Sequence, residues 1–363
     1  MNKAIVAAGV IIAVAVIAVA AMLMPHGGGG GGGAPRTVIL RGSGATFPMP
    51  ALYKWIDVFT SEHPWIRIDY SDGGSGKGLS DILQHLVDFA CSDPPLPRSI
   101  WEKYRGELLQ FPDIAGAVVV VYNLPGLGNK TLVLSGKVLA DIYLGKVRYW
   151  DDPEIAKLNP GIRLPHHEII AVHRSDASGT TQIFTTFLSK ADREWAEKVG
   201  YGKVVNWPVD KTGRGIGAEG NPGVAKAVMN TPYSIGYVEW AYALKNHMPY
   251  AAILNPLGEP VKPSVKSILE AVAYIKPLSP ADDWSRNAQR AIYAPRKGAY
   301  PISSVSFMLV WKKMPSDKCK AMKLWLRFLA EESYKYIPEG YAPLPKSLRE
   351  VILKASEMLE CQG

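Results

Sequence analysis

Three short segments of this sequence combine Ser or Thr hydroxyls with glycine backbone: residues 42–47 (Gly-Ser-Gly-Ala-Thr-Phe), 73–78 (Gly-Gly-Ser-Gly-Lys-Gly) and 174–181 (Arg-Ser-Asp-Ala-Ser-Gly-Thr-Thr). A helical pattern of apolar residues follows each of them. The start of a helix offers unpaired N–H groups and a partial positive charge, and the third segment adds the guanidinium of Arg174. Together these groups would form a binding site for a small tetrahedral anion.

The spacing of apolar residues predicts the elements that position these segments. The predicted helix residues are Leu52, Trp55, Ile56 and Phe59 after the first segment, Leu79, Ile82, Leu83 and Leu86 after the second, and Ile183, Phe184 and Phe187 after the third. Strand-like runs at 66–70 and 169–172 precede the second and third segments. Both segments are therefore predicted to be strand-loop-helix turns, and α/β proteins bind ligands at such loops.

Length and composition bound the architecture. A chain of 363 residues with 47% hydrophobic content can bury one large or two medium cores, and alternating strand and helix patterns predict an α/β fold with two lobes. The apolar runs at 118–121 and 306–311 predict buried strands, either of which could lie near a crossing between lobes. The net charge of +8 suits an anionic ligand or surface, but many basic proteins bind no particular anion.

The N-terminus indicates the compartment. Residues 4–24 form an apolar run of 21 residues after Lys3, long enough to span a bilayer, and glycines at 27–33 follow it. We predict a membrane anchor or signal at 1–26, a tether at 27–35 and a body outside the cytoplasm. A cleaved signal peptide is the alternative, because residues 18–20 are a small-x-small site. No cysteine lies near residue 25, which excludes a lipid-modified bacterial lipoprotein.

Several other kinds of site are excluded or left open. Cys319 and Cys361 could pair in an oxidising compartment, or all three cysteines including Cys91 could be free or buried thiols. The seven histidines show no metal-ligand spacing, so we expect no metal. Lys77 is followed by glycine rather than by Ser or Thr, so the segment is not a P-loop, and no dinucleotide fingerprint or nucleophile elbow is complete. We therefore expect no cofactor and no nucleic-acid partner.

Several motifs in order carry a family resemblance. They are residues 42–48, Ser75 with its glycines, 87–93 (Val-Asp-Phe-Ala-Cys-Ser-Asp), 142–145 (Ile-Tyr-Leu-Gly) leading to 150–152 (Trp-Asp-Asp), 158–161 (Leu-Asn-Pro-Gly), 174–181, and 236–239 (Gly-Tyr-Val-Glu). From about residue 40 to about residue 350, the chain resembles the phosphate-binding protein of the high-affinity Pst-type phosphate ABC importer. The resemblance implies a two-lobed periplasmic-binding-protein fold of type II with phosphate enclosed in the cleft. The expected lobes are 36–122 with 253–363, and 123–252.

The resemblance also implies a set of phosphate contacts, which come from all three segments and from one further residue. They are Thr46, Phe47 through its N–H, Ser75, Asp93, Arg174, Ser178, Gly179 through its N–H, and Thr180. The chemistry of each residue agrees, because hydroxyl and N–H groups donate hydrogen bonds and a guanidinium offers a planar fork to two oxygens. Asp176, two residues after Arg174, is expected to orient that guanidinium.

Asp93 is the informative member of this set, because a carboxylate should repel an anion. Phosphate near neutral pH carries a proton that it can donate to a carboxylate, whereas sulfate carries none. Buried polar mismatches of this kind discriminate between ligands by factors of roughly 10⁴ to 10⁵. We therefore predict that Asp93 selects phosphate over sulfate.

Each of these residues also has an ordinary structural interpretation when it is taken alone. Thr46 and Ser178 could be helix caps, and Ser75 a loop residue. Asp93, which precedes two prolines, could be a turn residue, and Arg174 could form a surface ion pair with Asp176. The joint pattern favours the binding site.

The expected function is capture of inorganic phosphate by a monomer, without a catalytic residue, and its delivery to membrane permease subunits. Two alternatives stay open: a receptor for sulfate, molybdate or an organophosphate, and a phosphate-ester hydrolase that uses a serine near Arg174. The sequence departs from the family at Lys77, which we expect to point outward, at Cys91, and at a longer glycine-rich loop over 210–219.

Overall fold

Strands and helices alternate along residues 37–363, which are the residues that the computed structural model describes. The predicted anchor and tether at 1–35 lie outside this range. Within 37–363, no helix has the length and apolar character that crossing a membrane requires.

Fourteen strands occur in the described residues. They are β1 Val38–Gly44, β2 Ile66–Asp72, β3 Phe89–Ser92, β4 Leu108–Asn123, β5 Val133–Leu134, β6 Ile170–Arg174, β7 Gly215–Ala218, β8 Ser234–Glu239, β9 Ala252–Leu254, β10 Pro260–Val261, β11 Ser303–Trp311, β12 Lys313–Pro315, β13 Tyr341–Ala342 and β14 Glu360–Gln362.

Twelve α-helices accompany these strands in the same part of the chain. They are α1 Met49–Glu62, α2 Gly74–Leu83, α3 Arg98–Lys103, α4 Gly136–Tyr143, α5 Pro153–Ala156, α6 Gly179–Ala191, α7 Arg193–Lys198, α8 Gly220–Asn230, α9 Trp240–Lys245, α10 Val265–Val272, α11 Ser316–Glu331 and α12 Lys346–Met358. Short 3₁₀ turns lie at Pro208–Thr212, Ala288–Ala291 and Ser333–Tyr336.

The main sheet has two halves that share one long strand. Its order is β2-β1-β3-β11-β4-β8-β6-β7, with β13 also paired to β4. The first part of β4, residues 108–117, pairs antiparallel with β11, and the second part, 118–123, pairs antiparallel with β8. The strand therefore passes from one lobe to the other, and the two-lobed α/β fold of type II is confirmed. The two apolar runs predicted as buried strands lie within β4 and β11.

The three helices predicted after the hydroxyl-bearing segments are confirmed as α1, α2 and α6, and each buries apolar residues against the core. The prediction for Leu86 was wrong. Helix α2 ends at Leu83, His85 adopts a positive φ of 56°, and Leu86 is 60% exposed. The left-handed backbone at His85 breaks the helical spacing on which that prediction rested.

A small second sheet bears on the expected lobe boundary at 252. Strands β9 and β10 pair with each other, and β9 pairs in parallel with β5. This pairing ties residues 252–261 to the segment that was expected to form the second lobe. The lobe boundaries themselves stay a prediction.

The C-terminal region contains a disulfide between Cys319 and Cys361, whose Cα atoms lie 5.3 Å apart. It attaches β14, which pairs with β12, to helix α11. Closing a loop of 42 residues lowers the entropy of the unfolded chain enough to stabilise the fold by about 4 kcal/mol in the chain-entropy model. Cys91 is a buried free thiol.

Candidate functional site

The parallel strands of both sheet halves direct their carboxyl ends toward the crossing of β4. In the first half, β3 ends at Ser92, opposite Phe307 of the antiparallel strand β11. The part of β11 before Phe307 extends beyond the end of β3, and its first residue, Ser303, pairs with Ala117 at the crossing. In the second half, β6 runs parallel to β8, which ends at Glu239 opposite Val118. The ends of β3 and β6 therefore face each other across the crossing. This is where an α/β protein binds ligands.

Two buried serines face this site and already accept hydrogen bonds. Ser178 caps helix α6 and accepts from the N–H of Thr181 at 3.0 Å. Ser75, in the first turn of α2, accepts from the N–H of Asp93 at 3.1 Å. A hydroxyl has one hydrogen to donate. The hydroxyl hydrogen of Ser178 has no acceptor among the described residues, whereas the hydroxyl of Ser75 also hydrogen-bonds to the Asp93 carboxylate.

Two threonines from opposite sides of the site share one partner, the side chain of Asn221 at the start of α8. Its amide nitrogen donates to Thr46 at 2.8 Å and to Thr180 at 3.1 Å. Its backbone N–H also donates to Thr46, at 3.2 Å. All three side chains are at most 2% exposed. The sequence analysis missed Asn221, although its Gly-Asn-Pro-Gly context is a helix-start signal.

Backbone N–H groups complete the set of donors. Within the described residues, the N–H groups of Phe47 and Gly179 have no hydrogen-bond acceptor. The hydroxyl of Tyr341 holds the carbonyl of Phe47 at 2.5 Å. At Gly179 a Cβ atom would lie 2.3 Å from the Ser75 hydroxyl and 2.4 Å from a carboxylate oxygen of Asp93. Only glycine allows these two sides of the site to approach so closely.

Arg174 and Asp176 form a buried, bidentate ion pair. The guanidinium Nε and Nη2 lie 2.6 and 2.5 Å from the two carboxylate oxygens, and the orienting role of Asp176 stays a prediction. Gly220 donates its N–H to the same carboxylate. Burial acts to raise the pKa of Asp176, but the hydrogen bonds and charge of Arg174 outweigh it, so the pKa is lowered. The remaining nitrogen of Arg174, Nη1, is buried and has no partner within 37–363.

Asp93 faces this ion pair and forms no ion pair of its own with any described residue, although the charges of Arg174 and Lys203 act on it. Its carboxylate accepts a hydrogen bond from Ser306 at 3.2 Å, and the side chain is 2% exposed. Burial raises the pKa of Asp93 to about 7, while the charge of Arg174 and the hydroxyls of Ser306 and Ser75 act in the opposite direction. The carboxyl is therefore close to half-protonated at neutral pH.

A second buried carboxyl lies behind Asp93. Burial and then the nearby charge of Asp93 raise the pKa of Asp113 to about 8. One carboxyl oxygen of Asp113 is without a hydrogen-bond partner among the described residues. Burial, followed by the charge of Asp113, also raises the pKa of the Cys91 thiol well above its usual value. The sequence analysis missed Asp113 and Ser306, because both lie inside strands whose apolar neighbours dominate the pattern.

The structure brings all the predicted site residues to this one region of the molecule. Thr46, Ser75 and Asp93 come from the half that contains β1, and the residues from Arg174 to Thr180 come from the half that contains β6. Their contact with a ligand stays a prediction. Among residues 37–363, no group of three or more His, Cys, Asp or Glu side chains could hold a metal ion.

Two further predictions near the site have different outcomes. Lys77 pairs with Asp81 at 2.5 Å and is half-exposed, so it points outward as predicted. Residues 210–219 were expected to be a loop, and this was wrong, because β7 pairs in parallel with β6. Arg214 is buried and donates to the carbonyl of Gly145 at 3.0 Å, which holds this edge strand in place.

Comparisons with known proteins agree with this geometry. A protein-family model described as a PBP superfamily domain matches residues 31–333. The phosphate-binding protein PstS of Methanocaldococcus jannaschii is 45% identical over 340 residues, covering 90% of this chain and 87% of that protein. The phosphate-binding protein PstS of Pasteurella multocida is 42% identical over 320 residues, covering 87% of this chain and 88% of that protein.

Solved structures show the same fold at lower identity. A high-affinity periplasmic phosphate-binding protein, PfluDING, bound with phosphate, has a TM-score of 0.67 at 20% identity, covering 87% of this chain and 93% of that one. A putative phosphate ABC transporter substrate-binding protein from Clostridium perfringens has a TM-score of 0.61 at 14% identity, covering 85% of this chain and 100% of that one.

Proposed function

Because this chain belongs to the PstS family of phosphate-binding proteins within the PBP superfamily, we propose that it captures inorganic phosphate outside the cytoplasm and delivers it to an ABC-type importer. The proposed ligand contacts are those of the sequence analysis. They are the side chains of Thr46, Ser75, Asp93, Arg174, Ser178 and Thr180 and the N–H groups of Phe47 and Gly179.

One observation carries this proposal: the site collects buried hydroxyl, N–H and guanidinium donors, several of which have no acceptor among residues 37–363. Four hydroxyls are already acceptors, and Arg174 keeps one nitrogen without a partner in the described part of the chain. Buried donors without acceptors are costly, so such a concentration of them favours a ligand rich in acceptor oxygens. A tetrahedral oxyanion has that chemistry.

Asp93 supports phosphate over other oxyanions. An ionised Asp93 can accept a hydrogen bond only from a ligand that carries a proton, and phosphate carries one at neutral pH. Sulfate would instead bring a second anion against a carboxylate that has no ion-pair partner in residues 37–363. The proposed selectivity thus comes from a penalty against the wrong ligand as much as from contacts with the right one.

In this proposal, the two lobes close on phosphate around the crossing at β4, and the closed form is recognised by the importer's membrane subunits. The lobe boundaries at 122 and 252, the monomeric state and the N-terminal anchor belong to the proposal as well. The relatives support the extracytoplasmic location, since the PfluDING structure is described as periplasmic. Asn221 would assist closure, because it joins Thr46 of one side to Thr180 of the other.

Calorimetric titration of the full-length chain tests the proposal. Co-purified ligand is first removed by partial unfolding, and the refolded protein is titrated separately with phosphate and with sulfate near neutral pH. We expect tight binding of one phosphate per chain, and sulfate binding that is weaker and is lost as the pH rises above the pKa of Asp93. A folded protein that binds no phosphate, or that binds both anions equally, would contradict the proposal.

A binding role is favoured over ester hydrolysis by the position of the histidine nearest to Arg174 in sequence. The Nδ1 of His173 lies 3.1 Å from the backbone carbonyl of Arg174, its Nε2 lies 2.7 Å from Asp210, and its ring stacks on Trp207. It is therefore engaged elsewhere and does not activate a serine of the site. The full-length chain should not turn over a chromogenic phosphate ester, and turnover abolished by Ser178→Ala would instead support a hydrolase.

A further inference from the structure

A cleft of about 610 Å³ adjoins Asp93 and is much larger than one phosphate ion requires. Residues 94–98 after β3 form one wall, and side chains of α6 and of residues 201–203 form another. Residues from 285 to 292 close the third side. Volumes of roughly 300–1,000 Å³ are typical of sites for ligands much larger than phosphate. Since Asp93 lies in its wall, we interpret this cleft as the approach to the phosphate site and not as the site itself.

The charges that line the cleft are unbalanced. Among its described lining residues, Asp93 is the one acid, whereas Arg98, Lys203 and Arg286 are basic. Arg98 is paired with Glu102 at 2.9 Å, and Arg286 is exposed at the rim. Lys203 is partly buried and close enough to Asp93 for their charges to interact.

Hydrogen bonds of its backbone and of the preceding residue fix Lys203 beside the segment that carries Arg174. The carbonyl of Lys203 accepts from the N–H of Ser178 at 3.0 Å, directly before helix α6. The preceding Gly202 donates its N–H to the Thr185 hydroxyl of that helix at 3.2 Å. Lys203 therefore places a second positive charge, besides that of Arg174, on the side of the site that faces the cleft.

The ammonium group of Lys203 has neither a hydrogen bond nor an ion pair with any residue in 37–363. Lys190, for comparison, donates to two backbone carbonyls. Burial lowers the pKa of Lys203 and the charge of Asp93 acts against this, so an arriving anion would further stabilise the charged form. The approach to Asp93 thus has a cation that is available to a ligand.

We propose that Lys203 forms an outer anion site, where incoming phosphate pairs with the lysine in the cleft before it passes between Arg174 and Asp93. The inference rests on the proposed function. The physical need for such a site is clear, because an ionised Asp93 repels a phosphate dianion at the entrance. A cation at the same cleft offsets this repulsion and raises the association rate.

The test compares association rates of the full-length chain and its Lys203→Gln variant, measured with radiolabelled phosphate by quenched-flow filtration. We expect the variant to bind roughly five- to tenfold more slowly at low ionic strength. At 1 M salt, where the screening length is about 3 Å, the two rates should agree within about twofold. Lys203→Arg, which keeps the charge, should restore the rate.

Lys130→Gln is the matched control, because it removes the same charge from an exposed residue. Lys130 follows the end of β4 at Asn123, which pairs with Ser234 at the sheet end opposite Arg174. This control should change the rate by less than about twofold. Equal rates for wild type and Lys203→Gln would overturn the inference alone, and so would a rate that Lys203→Arg fails to restore. No binding by wild type would overturn the proposed function and the inference with it.

Discussion

The two sides of the candidate site treat buried charge in opposite ways. On one side, Arg174 is neutralised by the bidentate contact with Asp176 and keeps one nitrogen for a ligand. On the other side, the carboxylate of Asp93 has hydroxyl neighbours but no ion pair with a described residue, and Asp113 lies behind it without a cation as well. On the first side, both members of the ion pair stay charged near neutral pH. On the second side, the protonation of the Asp93 carboxyl depends on pH and on the ligand.

This difference indicates a division of labour. A guanidinium whose position is fixed by a carboxylate can bind any oxyanion, because it recognises charge and planar geometry. A buried carboxyl near half-protonation responds to whether the ligand brings a proton. Affinity is therefore expected to depend mainly on Arg174, and selectivity mainly on Asp93.

The largest expected effect is on affinity, through Arg174→Met. The variant loses a buried, charged donor to the anion and leaves Asp176 without its partner, a change that typically costs about 4 kcal/mol, or roughly 1,000-fold in affinity. Calorimetry with phosphate measures the loss. Arg214→Met is the matched control, because Arg214 is equally buried but donates to backbone carbonyls outside the site. A similar loss of affinity in both variants would contradict the assignment.

The next effect concerns selectivity and its pH dependence. Sulfate can bind only when Asp93 is protonated, and the protonated fraction falls tenfold per pH unit above a pKa of about 7. Wild-type sulfate affinity should therefore decrease about 50-fold between pH 7 and pH 9, whereas phosphate, which brings its own proton, should change much less. Asp93→Asn should make sulfate affinity independent of pH and leave phosphate affinity within a few-fold of wild type.

Competition titrations at several pH values measure these sulfate affinities. Asp141→Asn is the control, because Asp141 is also buried but pairs with Lys137 away from the site. It should keep the pH dependence of the wild type. A flat pH profile for sulfate in the wild type would remove Asp93 from the selectivity mechanism.

A smaller effect is expected where the two sides meet, at Asn221. Asn221→Ala removes the donors that orient the hydroxyls of Thr46 and Thr180, so phosphate affinity should fall about tenfold. Asn159→Ala is the matched control, because it also removes a buried side-chain amide, which donates to the carbonyls of Val133 and Ile155. Both variants should be less stable than wild type, and only Asn221→Ala should bind phosphate more weakly. Unchanged affinity in Asn221→Ala would show that the two sides do not depend on this link.

The smallest effect on binding is expected from Asp113→Asn, which acts on stability instead. The pKa of Asp113 is about 8 in the folded protein, far above that of an unfolded chain. The folded state therefore retains a proton that the unfolded state has lost, and the free energy of unfolding falls as pH rises from about 4 to 8. Asparagine cannot ionise, so the variant avoids the decrease in the free energy of unfolding that the ionisable Asp113 causes as the pH rises.

Thermal unfolding of phosphate-free protein measures this difference. The melting temperature of Asp113→Asn should exceed that of wild type by a few degrees at pH 8.5, and the excess should shrink toward pH 5. Phosphate affinity should stay within about twofold of wild type, because Asp113 has no proposed contact with the ligand. A melting-temperature difference that is constant between pH 5 and pH 8.5 would contradict the raised pKa.

Local patterns predicted much of the fold. Apolar spacing located α1, α2 and α6 as well as the buried strands, because a helix or strand that packs on a core must repeat its apolar residues with its own period. The same spacing failed at Leu86, where a single left-handed residue ended the helix. A separate prediction, based on glycine content, failed at 215–218, where a loop was expected but the chain adds an edge strand. Backbone pairing across the sheet decided that case.

The local chemistry of the candidate site can be read from the chain: which hydroxyls precede a helix, which glycine follows Ser178, and which acid follows Arg174 by two residues. The partners of these groups and their protonation states depend on the folded protein. Ser306 reaches Asp93 across 213 residues of chain, and Asn221 reaches Thr46 across 175. Contacts over such separations leave no periodic pattern in the sequence. The pKa of Asp93 depends on how completely those contacts exclude water, which is a property of the folded chain.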